Sequence, residues 1–241
     1  MARHSKWSKV KTFKGAIDAK RGKMFSKLAR EVMVAARLGG GDPETNARLR
    51  MVLLRCRAAS MPGENVERAI KKGTGDTSGV TFEDLTYEIF APHGVALLVE
   101  LTTDNRNRTA AEIRSLVTKA GGNIAGAGSV ARLFHRKGQI IVATGAAEED
   151  ELMGVALDAG AEDYKVEPEG FEVITDPARF EAVHKAVESR GIVCAAAQVT
   201  ALPTLTVPVS GAAAEVVSGL IEAIEDHDDV KELWHNAEFA D

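Results

Sequence analysis

Residues 138–202 read GQIIVATGAAEEDELMGVALDAGAEDYKVEPEGFEVITDPARFEAVHKAVESRGIVCAAAQVTAL. Two β-α-β-like units follow one another in this stretch. The first has strand character at Gln139–Thr144, helical character at Glu148–Ala159 and strand character again at Asp163–Glu167. The second runs Phe171–Thr175, Pro177–Ser189 and Ile192–Ala201. The short apolar runs suit strands and the longer stretches between them suit helices. The resulting βαββαβ order is that of a ferredoxin-like sandwich, in which two helices cover one face of a four-stranded antiparallel sheet.

The flanks of this unit complete each other. Upstream, Phe82–Ala91 and Val95–Thr102 read as a hairpin across Pro92-His93-Gly94, followed by a helix at about Asn105–Ala120, a glycine-rich turn over 121–128 and a strand at Ser129–Phe134. Downstream, Leu205–Val209, a helix over Ala212–Asp226 and a strand over Val230–Phe239 supply the second helix and the closing strand that the upstream piece lacks. The expectation is a discontinuous sandwich domain, 79–137 plus 203–241, with 138–202 inserted into it. Before it, residues 1–78 read as a basic arm and a helical domain. A helix begins at Lys23 with Phe25, Leu28, Ala29, Val32 and Ala36 on one face, and Gly39-Gly40-Gly41 stops it. Asp42 as N-cap and Pro43 open a second helix to about Ser60, and Pro62 opens a third that closes at Gly73. Gly73–Gly79 reads as a linker. The fold class is therefore α+β, with an N-terminal three-helix domain and two ferredoxin-like α/β sandwiches, one inserted in the other.

Charge is divided along the chain far more sharply than its net of −5 suggests. Residues 1–72 carry 18 Lys and Arg against 6 Asp and Glu, a net of +12, and residues 73–241 carry 12 against 29, a net of −17. Such asymmetry points to a polyanion-binding region attached to a body that repels polyanions. No apolar run is long enough to span a bilayer, the basic start lacks the apolar stretch of a secretory signal, and two widely spaced cysteines make no disulfide framework. These features suggest a cytoplasmic protein without a membrane partner.

Arg3, Lys6, Lys9, Lys11, Lys14, Lys20, Arg21, Lys23, Lys27 and Arg30 are the candidate phosphate contacts, and Trp7, set among them, could stack on an unpaired base. Arg106 and Arg108 form a second rank, at a strand-to-helix junction where free backbone N–H groups favour an anion. The alternative there is that Asp104 or Asn105 caps the helix and the arginines are solvated. The glycine stretch 121–128 follows a helix and precedes a strand, the reverse of a dinucleotide fingerprint, so it reads as a loop. The acidic run Glu225-Asp226-His227-Asp228-Asp229 reads as an exposed turn. The histidines lack zinc spacing and no side chain stands in a recognisable nucleophile setting, so no catalytic residue, metal, cofactor or small-molecule substrate is expected. No helix-turn-helix, zinc-finger or basic-zipper spacing is found, which leans toward structured RNA or shape-based contact rather than base-by-base reading of a duplex.

Several blocks carry a resemblance: His4-Ser5-Lys6-Trp7, Asp18-Ala19-Lys20-Arg21-Gly22-Lys23 with Phe25, Ala35-Ala36-Arg37 running into Gly39-Gly40, Met61-Pro62 with Glu67-Arg68-Ala69-Ile70, and Thr103-Asp104-Asn105-Arg106-Asn107-Arg108-Thr109. Taken together the chain resembles the YebC/PmpR family, with one departure, Arg3 standing where the family usually has Gly. The resemblance implies a three-domain α/β protein and a non-enzymatic regulator of gene expression. Members are commonly described as probable DNA-binding transcriptional regulators. Others, including the mitochondrial translational activator of cytochrome oxidase, are ribosome-associated factors that help synthesis through proline-rich stretches. The implied partners are duplex DNA or ribosomal RNA, the latter on the ribosome.

Overall fold

The computed structural model describes residues 17–75 and 81–240, without the side chains of 17–21 and 23. Helices α1 (Ile17–Gly39), α2 (Ala47–Ala58) and α3 (Gly63–Thr74) pack around Leu28, Val32 and Ala35 from α1, Leu49, Val52 and Cys56 from α2, and Ala69 from α3. α1 starts six residues before the expected Lys23. Its amphipathic pattern begins only where the helix meets its neighbours, while the turn before that contains good helix formers such as Ala19, Lys20 and Arg21. α1 and α3 approach closely at Gly73, where a Cβ would stand 2.3 Å from the Met33 carbonyl oxygen, so Gly73 belongs to the helix packing rather than to a linker. Asn46, not Asp42, caps α2. Its Oδ1 accepts from Leu49 N at 3.0 Å while its Nδ2 donates to the carbonyls of Ala35 and Gly40, both at 2.8 Å, which ties the α1–α2 turn together.

A four-stranded antiparallel sheet follows, with strand order β3-β1-β2-β9 from β1 (Glu83–Phe90), β2 (Ala96–Thr103), β3 (Asn123–Ile124) and β9 (Val230–His235). Helices α4 (Arg106–Lys119) and α7 (Gly211–Glu225) cover one face through Ile113, Val117, Val217, Leu220 and Ile224, packed on Leu97, Val99 and Leu101. The strand expected over 230–239 breaks at buried Asn236, whose Oδ1 accepts from Ala96 N at 2.7 Å. Beyond it, β10 (Ala237–Phe239) pairs in parallel with β8 (Val207–Val209).

The second sheet has the order β5-β6-β4-β7, all antiparallel, from β4 (Phe134–Ala143), β5 (Asp163–Glu167), β6 (Gly170–Thr175) and β7 (Ala196–Pro203). With α5 (Glu149–Asp158) and α6 (Phe180–Ser189) on one face, this is a ferredoxin-like sandwich. The chain is thus α+β in three domains, helical, middle and inserted.

β2 is buried on both faces, which is why ALLVELTT reads as a nearly unbroken apolar run. Its outward residues, Ala96 and Leu98, join Trp234 of β9, Phe134 of β4 and Ala201 of β7 in a small apolar cluster between middle and inserted domains. Trp234 donates from Nε1 to Thr200 Oγ1 at 2.9 Å, and the Arg136 guanidinium lies 4.7 Å from its ring centroid.

The expected strand Ser129–Phe134 is a turn and a short 3-10 helix (Ala131–Leu133) instead, and β4 starts only at Phe134. The cause lies 40 residues upstream. The buried Glu88 carboxylate on β1 accepts from Gly128 N at 2.6 Å, Val130 N at 2.5 Å and Ala131 N at 2.8 Å, so two of the N–H groups of the expected strand are committed to a side chain. Burial works to raise the Glu88 carboxyl, but the three backbone donors outweigh it and hold it below the usual glutamate value. A carboxyl lowered on folding adds stability above the ordinary carboxylate range and loses it as pH falls through the folded value. Glu88→Gln should therefore cost about 2 kcal/mol near neutral pH and less in acid, read as denaturant midpoints across pH.

Candidate nucleic-acid interface

The outer face of the first sheet has two ends. Outward positions alternate along the strands: the Glu88, Leu98 and Trp234 end meets the inserted domain, and the Asp84, Thr102 and Glu232 end meets the helical domain. The second contact is ionic. Arg48 on α2 grips Asp84 with both terminal nitrogens, at 2.7 and 3.1 Å, and Lys231 adds a contact at 3.2 Å. Arg55 lies between Glu31 of its own domain at 2.7 Å and Glu232 of β9 at 2.5 Å. Lys27 donates to the carbonyls of Glu225 and Val230, at the C-terminal end of α7 and just beyond it, where the helix dipole favours a cation.

Asp229 is the centre of this interface and is 2% exposed. Its Oδ2 accepts from Thr109 Oγ1 at 2.5 Å and from Arg108 Nη2 at 3.0 Å, and Arg30 Nη2 stands 2.6 Å from Oδ1. Thr109 in turn bonds Thr103 Oγ1 at 2.8 Å, and Thr102 N donates to the Asp229 carbonyl at 2.9 Å. The Arg30 contact is an ion pair without hydrogen-bond alignment, and Arg30 Nε is buried with no partner among the described residues. Burial pushes the Asp229 carboxyl up, yet the Thr109 hydroxyl, Arg108 and Arg30 together bring it below the usual aspartate value. Asp84 is held far below it, its burial outweighed by Arg48, Thr102 and Lys231.

The acidic run is therefore not a wholly exposed turn: Asp229 is its buried, structural member. Lys27 and Arg30 do not lie on an open cationic face either, since both are engaged with the middle domain. Arg108 is held by Asp104 and Asp229, each at 3.0 Å. Arg106 is exposed at the start of α4, whose N-cap is Asn105, accepting from Arg108 N at 3.1 Å. Lys20, Arg21 and Lys23 belong to α1, but their side chains are outside the described residues, as are Arg3, Lys6, Trp7, Lys9, Lys11 and Lys14 altogether.

Other cations of the helical domain are exposed. Arg50 and Arg57 are exposed on α2, Arg50 donating to the Pro43 and Glu44 carbonyls at 2.8 and 3.3 Å, with Met51 and Leu54 exposed between them, and Arg68, Lys71 and Lys72 are exposed on α3. Their helical spacing is readable in the sequence, but nothing local separates them from Arg48 and Arg55, which share α2 and turn inward. The glycine loop is not an open phosphate cradle, because Gly121, Gly122 and Ala125 donate their N–H groups to the carbonyls of Thr118, Val117 and Glu88, and Gly128 donates to the Glu88 carboxylate. Among the described residues no group of three or more His, Cys, Asp or Glu side chains is placed to hold a metal, and no helix is long and apolar enough to cross a membrane.

Asp229→Asn should lower stability by about 3 kcal/mol, because two arginines lose the carboxylate that neutralises them; both remain partly solvated, which keeps the loss at the low end for a buried pair. The loss should be largest near neutral pH and shrink below the ordinary carboxylate range, where the wild type loses the same contribution. Chemical denaturation followed from pH 7 down to about pH 2 reads both effects.

Family models match the chain in two consecutive parts, the TACO1/YebC protein N-terminal domain over residues 5–76 and the TACO1/YebC second and third domain over residues 82–237. A probable transcriptional regulatory protein of Desulforapulum autotrophicum is 50% identical, covering 100% of this chain and 98% of the relative. One from Dictyoglomus turgidum is 49% identical, covering 100% of this chain and 97% of the relative. The crystal structure of a conserved hypothetical protein from Aquifex aeolicus aligns with a TM-score of 0.79 at 45% identity, over 93% of each chain. The chain belongs to the TACO1/YebC family.

Proposed function

We propose that the protein is a non-enzymatic regulator of gene expression that binds nucleic acid through its N-terminal arm and helical domain. The observation that carries this reading is the division of charge, +12 over residues 1–72 against −17 over the remainder. The exposed cations of α2 and α3 support it. The phosphate contacts are Arg3, Lys6, Lys9, Lys11, Lys14, Lys20, Arg21 and Lys23 of the arm and α1, joined by Arg50, Arg57, Arg68, Lys71 and Lys72. Trp7 stacks on a base, and Arg106 extends the surface at α4. The names of the relatives, probable transcriptional regulatory proteins, favour duplex DNA as the target and regulation of transcription as the outcome.

A second reading is a ribosome-associated factor on ribosomal RNA that assists synthesis of difficult sequences. The missing groove-reading motif favours it, and so does the exposed Met51–Leu54 pair set between Arg50 and Arg57, since apolar side chains add nothing to phosphate contact but pack on splayed bases and sugars.

Replacing Lys6, Lys9, Lys11 and Lys14 by Glu should abolish binding to duplex DNA and structured RNA in fluorescence anisotropy while leaving the melting temperature unchanged. Unaltered affinity would count against the arm. On the transcriptional reading a cognate duplex outcompetes random duplex by about a thousandfold or more at physiological salt. On the translational reading the protein sediments with ribosomes in a sucrose gradient, and the four-residue reversal releases it.

A further inference from the structure

We infer that the carboxylates docking the helical domain stand in for phosphates, and that a nucleic-acid backbone displaces them, opening the interface to form a second contact surface. The inference rests on the nucleic-acid reading above and adds a conformational step to it.

The argument begins with what holds the domain down. The apolar clusters of the helical and middle domains have no member in common, whereas the middle and inserted domains share one. Val34 is buried at the interface, and the Phe82 ring lies under the guanidinium groups of Arg30 and Arg37 at 5.7 and 5.5 Å, but neither joins a cluster. Docking therefore rests largely on ion pairs. Three of its cations, Arg30, Arg48 and Arg55, carry guanidinium forks, which match carboxylate and phosphate alike.

The pairs at the rim are open to competition. Arg48 and Asp84 are 35% and 46% exposed, and Arg55 and Glu232 are 41% and 39% exposed. Ion pairs this accessible are weak and screened by salt. A polyanion delivers many negative charges at once and gains from counterion release, so it competes far better than a free ion. The misaligned Arg30–Asp229 contact and the unpaired Arg30 Nε mark a contact that a phosphate, with more acceptor positions, would satisfy more fully. Once released, Arg48 and Arg55 would extend the exposed row of Arg50 and Arg57 around α2.

The test uses the full chain with two labelled probes, a 20-base-pair DNA duplex and an RNA stem-loop. Removing rim competitors with Asp84→Asn and Glu232→Gln should tighten binding about tenfold, with cooperative melting retained. Neutron scattering with the nucleic acid contrast-matched should show the wild-type protein's radius of gyration rising at saturation. A folded double variant that binds no more tightly, or a radius that stays constant, overturns the inference. Should the double variant fail to melt cooperatively, Glu232→Gln alone and the wild-type scattering decide. A gain confined to one probe assigns the displacing backbone to DNA or to RNA. A wild type that binds neither probe overturns the nucleic-acid reading itself, whereas binding without expansion overturns only the opening step.

Discussion

The arrangement of the helical and middle domains depends on one carboxylate. Asp229 lies where α1, α4 and the start of β9 converge, and it receives contacts from Arg30 of α1 and from the adjacent Arg108 and Thr109 of α4. Burying a charge is tolerable only when its partners replace the water it loses. Here two cations and a hydroxyl do so, with enough surplus to keep the carboxyl ionised. The same contact turns Arg30 of the helical domain inward, as Asp84 and Glu232 do for Arg48 and Arg55.

The first sheet uses its outer face for two kinds of docking. At the Trp234 end, a shared apolar cluster joins the middle and inserted domains, with Arg136 over the Trp234 ring and paired to Glu100, so salt screens only part of the contact. At the Asp84 end, ion pairs hold the helical domain, exposed enough for salt to screen them. A single face thus couples one firm junction to one responsive junction. The domain with the responsive junction is the domain that carries the excess of positive charge.

The inserted sandwich was legible because its signals are local: the strand and helix periods within 138–202 give the element order, and the observed sheet order is the one that this element order implies for a ferredoxin-like sandwich. Where long-range contacts decide, reading the sequence failed. Ser129–Phe134 has strand character, yet Glu88 takes two of its N–H groups. Asp42-Pro43 looks like a helix start, yet Asn46 bonds to three backbone groups and sets the start four residues later. In Glu225-Asp226-His227-Asp228-Asp229 nothing distinguishes the aspartate that is buried, because Arg30 and Arg108 lie more than a hundred residues away. Lys27 and Arg30 looked like their neighbours on α1 for the same reason. The polarity of the chain was plain, while the division of its cations between internal and external partners required the tertiary structure.

The central claim is that nucleic acid meets the N-terminal arm and helical domain while the acidic inserted domain stays clear of it. Photo-crosslinking to a nucleic acid carrying photoactivatable bases, followed by mass-spectrometric mapping of the crosslinked peptides, tests this directly. The account predicts crosslinks within residues 1–75 and none within 138–202. Crosslinks concentrated in the inserted domain, with residues 1–75 unmarked, would contradict it.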